Sequence, residues 1–270
     1  MQLPELSAGA LAILKAVGIL LALMALALAI ERIRPAEKGQ GLIQVWLNLA
    51  YLPVYLLTIF LFAPWLAAHL PHMPALASLI TIAWGSTWWG TLAQLTLFAI
   101  AYDFFYYWWH RALHTYPLLW TTHEWHHSER ALNVTSAVRH HWLDETVRPL
   151  VVLLPLSLLF VFSPVAFPYI ATAFTAWPLF IHMNIRRRLG LARYALVSPQ
   201  YHRVHHSAHT EHFNKNFGAF TPLWDILFGS AHFVSADTYP STGIEGNSGR
   251  GRDALKSMLR LPLPPAPSRR

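Results

Sequence analysis

The sequence predicts an all-α protein: an integral membrane helical bundle of four or five spans with a helical, histidine-rich domain on its cytosolic side. Three observations support this fold class. The chain of 270 residues is 54% hydrophobic and only 12% charged, whereas about a quarter of an average soluble domain is charged. Its apolar residues form long runs that end at basic residues. Its 16 histidines are concentrated in short clusters rather than spread along the chain.

Four apolar runs account for the predicted spans. A membrane-spanning helix needs about 20 apolar residues, and residues 8–30 and 42–66 each satisfy this length. The third run, residues 75–109, is too long for one perpendicular span, so we expect it to tilt, kink or project beyond the bilayer. The fourth run, residues 147–182, is interrupted by Ser-Pro near its middle and is predicted to form a hairpin of two short helices.

The basic residues predict the orientation of these spans. Lys and Arg occur in the 31–41 loop, in residues 110–148 and after residue 182, whereas the 67–74 loop has none. Cytoplasmic loops of membrane proteins carry the excess of Lys and Arg, so all three basic segments are expected on the cytoplasmic side and the N-terminus outside. Five crossings satisfy this arrangement, and so do four crossings with a re-entrant hairpin.

Composition also excludes several classes of function. The net charge of +7 would suit nucleic acid, but the basic residues lie where membrane topology requires them, so no nucleic-acid partner is expected. The chain has no Cys, which excludes disulfides, Cys-ligated zinc and iron–sulfur clusters. Residues 239–270 are rich in Gly, Pro, Ser and Arg and are predicted to form a flexible tail.

The histidine clusters are the clearest functional signal. They occur in the sequences HRALH, HEWHH and HRVHH, where the spacings i, i+3 and i+4 place side chains on one face of a helix. Burying so many imidazoles with few charges nearby is costly unless they coordinate a metal. The predicted ligands in these clusters are His110, His114, His123, His126, His127, His202, His205 and His206.

The number of histidines indicates the kind of metal centre. Imidazole suits Zn, Cu, Fe and Ni, and eight imidazoles exceed the four ligands of a single zinc site. Two redox metal ions with several histidines each fit the count and suit O2 activation. A haem takes only two axial ligands, and the Glu-rich site of ferritin-like proteins is not present as a pattern.

One alternative uses the second cluster by itself. HEWHH matches the zinc-protease signature, in which His123 and His127 would bind zinc and Glu124 would be the general base of an intramembrane metalloprotease. That interpretation needs a further ligand and leaves the other clustered histidines unexplained. The third cluster repeats the histidine spacing but has Arg203 in the place of the glutamate.

These motifs resemble the fatty acid hydroxylase/sterol desaturase superfamily of membrane di-iron enzymes, over about residues 101–233. Asp103 leads into WWHRALH as in the first box of that family, and HEWHHS followed by Asn133 is similar to the second. SPQYHRVHHS, with NKNFGAFTPLWDILFGS after it, resembles the third box and its tail. His182 and Asn184 match a further His-x-Asn element.

The resemblance implies additional ligands and their supports. His182 is implied as a ninth ligand, and His141 lies where members often carry another, with His140 as its rival. The roles of His209 and His212 are left open. Side chains expected to orient the ligating rings, or else to cap helices and anchor loops, are Asp103, Asn133, Asn184 and Asp225.

The resemblance also implies the chemistry. It implies two iron ions, for which zinc can substitute in a purified protein, together with O2 and an external electron donor such as a cytochrome, a ferredoxin, a reductase or a pterin. The substrate would be a membrane lipid such as a sterol or a fatty acyl chain, and hydroxylation is favoured over desaturation. Residues 1–100 would form N-terminal transmembrane helices, and residues 101–238 the di-iron domain with the hairpin at 147–182.

Overall fold

The computed structural model describes residues 8–62, 65, 80–82, 87–162, 167–246 and 258. The break expected near the middle of the fourth apolar run, the 67–74 loop and most of the tail at 239–270 therefore lie outside the described residues. Within the described part, the chain is predominantly helical, as the sequence predicts.

The α-helices are numbered here in chain order. In order they are α1 (Ala8–Ile33), α2 (Leu42–Leu57), α3 (Trp88–Thr115), α4 (Pro117–His127), α5 (Trp142–Arg148), α6 (Leu154–Leu159), α7 (Phe167–His182), α8 (Pro199–His205) and α9 (Leu223–Leu227). Two π-helical segments, Thr58–Phe62 and Pro149–Leu153, continue α2 and join α5 to α6. Short 3-10 turns occur at Val134–Val138, Gly190–Tyr194 and Thr210–His212.

One pair of short strands interrupts this helical pattern. β1 (Ile80–Ile82) and β2 (Phe160–Phe162) pair in parallel, with Ile80 opposite Phe160. Both strands lie in apolar runs that were expected to be helical. They consist of β-branched and aromatic residues, which are the residue types that favour extended pairing.

Among the described residues, two helices are long and apolar enough to cross a membrane. They are Ala10–Ile33, with a mean hydropathy of 2.6, and Leu42–Leu61, with 1.6. Only 11% of the most apolar window of the first helix is buried inside the protein, whereas the core helix of a soluble domain would be mostly buried. These two helices agree with the first two predicted spans; further spans remain a prediction.

The ends of α1 and α7 are joined by backbone hydrogen bonds. The N–H of Ala36 donates to the carbonyl of Asn184 at 3.2 Å, and the N–H of Arg186 donates to that of Arg34 at 3.0 Å. The buried carboxylate of Glu31 accepts from the backbone N–H groups of Val134 and Asn184. A buried apolar cluster supports this junction, formed by Met24, Ala27, Leu52, Val134, Ala137, Val138, Leu179 and Met183. It fixes the end of α7, where His182 lies, against α1 and α2.

Candidate metal centre

The first two histidine clusters meet across a tight helical corner. α3 ends at Thr115 and α4 begins at Pro117, so Tyr116 alone connects them. Proline is favoured at the first position of a helix because its missing N–H has no partner there. The chain turns back at this corner, and the Nε2 atom of His110 lies 3.0 Å from that of His123.

The third cluster reaches the same place from α8. Ser198 caps this helix, since its side chain accepts a hydrogen bond from the N–H of Tyr201. The Nε2 atom of His202 lies 3.0 Å from that of His182, at the end of α7. His206 Nε2 is 3.1 Å from His202 Nε2. The fold therefore brings the three clusters and His182 together, although 72 residues of chain separate the first of these histidines from His182 in sequence.

Nine buried or nearly buried histidines form two groups, and the ligand atoms within each group lie within 4.8 Å of one another. The five-histidine group consists of His110, His114, His123, His127 and His205. The four-histidine group consists of His126, His182, His202 and His206. All eight clustered histidines predicted from the sequence, and the ninth implied by the resemblance, belong to one group or the other.

The two groups are neighbours because consecutive residues contribute to different groups. His126 and His127 are adjacent on α4, and His205 and His206 are adjacent at the end of α8, yet each pair is divided between the groups. The rings of His127 and His206 stack at 4.4 Å with 20° between their planes. Each helix thus supplies both groups.

Backbone carbonyls orient several of these rings. The Nδ1 of His110 lies 2.8 Å from the carbonyl oxygen of Phe217, and the Nδ1 of His205 lies 2.8 Å from that of Lys215. Because a carbonyl only accepts, each Nδ1 carries the hydrogen and each Nε2 presents a lone pair to the group. This is the arrangement that fixes the tautomer of metal-ligating histidines.

The donor set fits metal ions. His126 and His182 also direct Nδ1 to carbonyl oxygens, those of Arg139 and Pro178. Their Nε2 atoms nevertheless face each other at 3.4 Å. Two facing lone pairs repel unless a positive charge lies between them. Two nitrogens bound to one ion at about 2.1 Å each lie about 3.4 Å apart when the angle at the ion is tetrahedral, which matches the separation of these Nε2 atoms.

Protonation of the rings is disfavoured, which leaves the metal as the source of positive charge. Burial, followed by the charges of neighbouring histidines, lowers the pKa well below its ordinary value in His110, His114, His126, His127, His202 and His206. Burial lowers the pKa of His205 to about 3. Neutral imidazoles are the form that binds metal ions.

Asp144 is a buried carboxylate that the sequence analysis did not identify. Its Oδ2 atom lies 3.6 Å from the Nδ1 atoms of both His123 and His140, and its Oδ1 accepts a hydrogen bond from Trp109 Nε1 at 3.0 Å. Although burial alone would raise the pKa of Asp144, the facing rings of His123 and His140 hold it well below its usual range. The sequence does hint at this role. Asp144 follows His140 by four residues and His141 by three, in a chain with only 13 acidic residues.

The other described histidines lie outside both groups. His141 caps α5, where its Nδ1 accepts a hydrogen bond from the N–H of Leu143 at 3.2 Å, and its ring nitrogens are not among the ligand atoms of either group. His140, the alternative to His141 as a ligand, stacks on His126 with ring centroids 4.2 Å apart. His212 contacts Ser207 through Nδ1 at 2.8 Å. His209 is about half exposed.

Two buried aspartates hold the loop that follows the third cluster. Asp225 accepts hydrogen bonds from the N–H groups of Phe217 and Gly218, both at 2.8 Å. Asp103 accepts from the N–H groups of residues 219–221, the shortest at 2.6 Å. These carboxylates act on the ligand rings only through the loop, because the carbonyl of Phe217 is the partner of His110.

The two asparagines singled out in the sequence have similar anchoring roles. Asn133 caps the 3-10 turn at Val134–Val138 through a reciprocal contact with Ser136. Asn184 bonds through its side chain to the backbone of Glu37 and to the guanidinium of Arg203. In the described contacts, all four predicted supports therefore anchor loops or cap turns, and backbone carbonyls orient the rings instead.

A buried arginine fixes the end of α4. Arg139 donates to the carbonyl of Trp125, to the hydroxyl of Ser128 and to the side-chain oxygen of Asn48. Its guanidinium lies 3.5 Å above the Trp125 ring and 3.7 Å from a carboxylate oxygen of Glu129. Burial lowers the pKa of Arg139 to about 10, so it keeps its charge at neutral pH. The backbone carbonyl of the same residue orients His126.

A cavity of about 820 Å³ leads from the four-histidine group toward the membrane helices. His126, His182 and His202 line one end. The lining also includes apolar side chains of α1, α2 and α7, among them Leu20 and Leu56, and the charged side chains of Glu145 and Arg148. A volume of this size is typical of sites for drug-sized or larger apolar ligands. The cavity therefore adjoins the candidate metal centre.

One family model and several known proteins are similar to this chain. A family model described as fatty acid hydroxylase matches residues 95–230. The chain is 29% identical over 161 residues to alkylglycerol monooxygenase of Xenopus tropicalis, an alignment that covers 56% of this chain and 32% of that protein. It is 31% identical over 163 residues to ornithine lipid hydroxylase OlsE of Rhizobium tropici, covering 60% and 49%.

A more distant relative has a different activity in its name. Very-long-chain aldehyde decarbonylase GL1-6 of Oryza sativa subsp. japonica is 26% identical over 174 residues, covering 57% of this chain and 26% of that protein. The chain thus spans less than half of each of these three relatives. No solved structure matches the chain.

Proposed function

Because the chain belongs to the fatty acid hydroxylase family, as its motifs predict, we propose that it is a membrane-bound di-iron monooxygenase that hydroxylates a C–H bond of a lipid. The observation that carries this proposal is the junction between the apolar cavity and the four-histidine group, which lies beside the five-histidine group. At this junction, side chains able to bind metal lie beside a cavity large enough for part of a lipid. Relatives that are named as a monooxygenase and a lipid hydroxylase support the same reaction class.

The five-histidine group and the four-histidine group would each hold one iron ion. Bound iron would supply the redox chemistry that reduces O2 and oxidises an unactivated C–H bond. One oxygen atom would enter the alcohol and the other would leave as water, with two electrons and two protons taken up from an external donor. A second hydrogen abstraction would give an alkene instead, so desaturation is the alternative outcome at the same site.

The residues of this chain prepare the site in three ways. Backbone carbonyls of Phe217, Lys215 and Arg139 hold the ligating rings with Nε2 inward. Asp144 orients His123 from behind and remains ionised because of the rings it faces. Apolar side chains make up most of the cavity lining, so a bound lipid would displace water beside the histidines, which would favour reaction at the lipid over loss of oxidising equivalents.

We place the metal centre on the cytoplasmic side of a multi-pass membrane domain. The positive-inside pattern of Lys and Arg and the two helices able to span a membrane support this topology. Residues 101–238 would form the di-iron domain. A cytochrome, a ferredoxin, a reductase or a reduced pterin would supply electrons.

The zinc-protease alternative has no observation in its favour. His123 and His127 share their group with His110, His114 and His205, so the HEWHH pair does not stand alone. Glu124 belongs to neither histidine group.

The test is the metal content of protein expressed with added iron, for wild type and for the double variant His126→Ala with His205→Ala, which removes one ligand from each group. We expect two iron ions per wild-type chain and a lower content in the double variant. His209→Ala is the matched control, since this ring lies outside both groups. Incorporation of labelled oxygen from O2 into lipid would follow. A single zinc ion that survives the double substitution would contradict the proposal.

A further inference from the structure

We propose that Glu145 binds the head group of the lipid substrate, and that this head group carries a hydrogen-bond donor, either a hydroxyl or an ammonium group. This inference rests on the proposed function, because it concerns the lipid that would enter the cavity beside the histidine groups. It adds the chemical class of the substrate and the direction in which the lipid lies.

Glu145 has one carboxylate oxygen without a partner. It lies in the first turn of α5, and its side chain is only 2% exposed. Its Oε2 accepts a hydrogen bond from Arg148, one turn later on the helix and the residue that ends α5. Its Oε1 is buried and has no hydrogen-bond partner among the described residues. A buried carboxylate oxygen in this state is costly, and a donor on a ligand removes the cost.

The unpartnered oxygen adjoins the metal centre. Oε1 lies 3.7 Å from Nδ1 of His140, and the His140 ring stacks on His126 of the four-histidine group. Glu145, Arg148 and His140 all line the cavity. The polar end of the cavity and the candidate metal centre are therefore at the same end.

The charges at this end select the type of head group. The carboxylates of Asp144 and Glu145 lie near a single guanidinium, that of Arg148. Glu145 already accepts a hydrogen bond from it. Asp144 directs its second oxygen to two histidine rings. An anionic head group would meet repulsion from the carboxylates, whereas a hydroxyl or an ammonium group would donate to Oε1 after a rotation of the Glu145 side chain that turns this oxygen toward the cavity.

The rest of the cavity determines where the tail goes. Its lining from α1 includes Leu20 and Leu23, and its lining from α2 and the π-helical turn after it includes Leu56 and Ile59. A head group on Glu145 therefore directs the tail away from the histidines and toward these helices. The C–H bond presented to the metal centre is then close to the head group rather than at the far end of the tail.

The experiment measures binding without turnover. Tritiated hexadecanol, hexadecylamine and hexadecyl methyl ether are bound to the iron-loaded protein in nanodiscs. These probes share one chain and differ in head group: hydroxyl, ammonium or no donor. We expect wild type to bind the alcohol or the amine about tenfold or more tightly than the ether, as for a hydrogen bond to a charged group. The stronger of the two identifies the donor.

The variant Glu145→Gln tests the residue itself. It keeps the size of the side chain and removes the charge, so we expect the preference to fall toward unity while affinity for the ether is unchanged. Glu211→Gln is the matched control, because this carboxylate is 64% exposed and does not line the cavity. Equal binding of all probes by wild type, no binding of any probe, or a preference retained in Glu145→Gln would overturn the assignment.

Iron content, measured on the same samples, separates this failure from failure of the proposed function. Two iron ions per chain without a head-group preference would remove only the role of Glu145. The comparison of probes in wild type needs no variant, so the proposal stays testable where Glu145→Gln does not fold.

Discussion

The Nε2 atoms of His126 and His182 face each other across 3.4 Å, while the Nδ1 atom of each ring lies against a backbone carbonyl oxygen. Neither ring can turn its lone pair away without giving up its carbonyl partner. A positive ion between the two nitrogens converts this repulsion into attraction. The four-histidine group is therefore built to be stable with an ion bound.

Metal removal should lower thermal stability. An ion that binds the folded state and not the unfolded state stabilises the protein by about 2.7 kcal/mol when its free concentration is a hundred times Kd. We expect a strong chelator to lower Tm and added iron to restore it, as measured by the thermal unfolding of purified protein. In the double variant His126→Ala with His205→Ala, the chelator should have a much smaller effect. Equal Tm values with and without chelator in wild type would contradict this expectation.

Asp144→Asn should weaken metal retention without unfolding the protein. The substitution keeps the acceptor for Trp109 Nε1 but removes the charge that faces His123. Loss of such an outer partner typically lowers metal affinity by about 10- to 100-fold. Competition with a chelator of known affinity measures the change. Asp237→Asn is the control, because this carboxylate is 77% exposed and pairs with Arg188 at the surface. Unchanged iron affinity in Asp144→Asn would remove the positioning role.

Arg139→Met should be strongly destabilising. The substitution leaves the Glu129 carboxylate buried without its cation and removes donors to Trp125, Ser128 and Asn48. Removing one partner of a buried ion pair costs about 3–5 kcal/mol. We expect a large fall in Tm, whereas Arg188→Met at the exposed surface pair should change it little. A Tm close to that of wild type would show that the network is not needed for stability.

Gly218→Ala should disturb the five-histidine group through the backbone. A Cβ atom at this position would lie 2.3 Å from the carbonyl oxygen of Thr221, which is a backbone atom and cannot rotate away. The loop would have to shift, and Phe217, whose carbonyl orients His110, would shift with it. We expect reduced iron content and a lower Tm.

Gly41→Ala is the matched control for that substitution. A Cβ at Gly41 would meet nothing within 4 Å, and its φ of −78° suits any residue. Full iron content in Gly218→Ala would show that the loop can accommodate the extra carbon.

The histidine ligands could be predicted from sequence, but their division between two groups could not. Helical spacing places His123, His126 and His127 on one broad face but does not show which of these rings share a centre. The structure assigns His126 to one group and the other two rings to the second. Positions i+3 and i+4 are about 100° apart around a helix, so one face can serve two centres. Which centre each ring reaches depends on α7 and α8, which lie far along the chain.

Neither the role of Asp144 nor the strand pair could be predicted from the sequence, and the reasons are related. An Asp in the first turn of a helix is ordinarily a surface residue that favours the helix dipole. Only the tertiary fold shows that Asp144 is buried between His123 and His140. The pairing of β1 with β2 joins residues about 80 apart in sequence, and local patterns carry no information about such partners. The cavity likewise consists of ordinary apolar side chains.

The sharing of α4 and α8 by both histidine groups has a consequence for how metal is acquired. An ion in the five-histidine group immobilises His127 and His205, and their sequence neighbours His126 and His206 are then held in place for the other group. The second ion meets ligands whose conformational entropy has already been lost. Loading should therefore be cooperative, with few singly occupied chains at intermediate iron concentrations. A cell short of iron would then contain a mixture of filled and empty proteins rather than a population of half-filled ones.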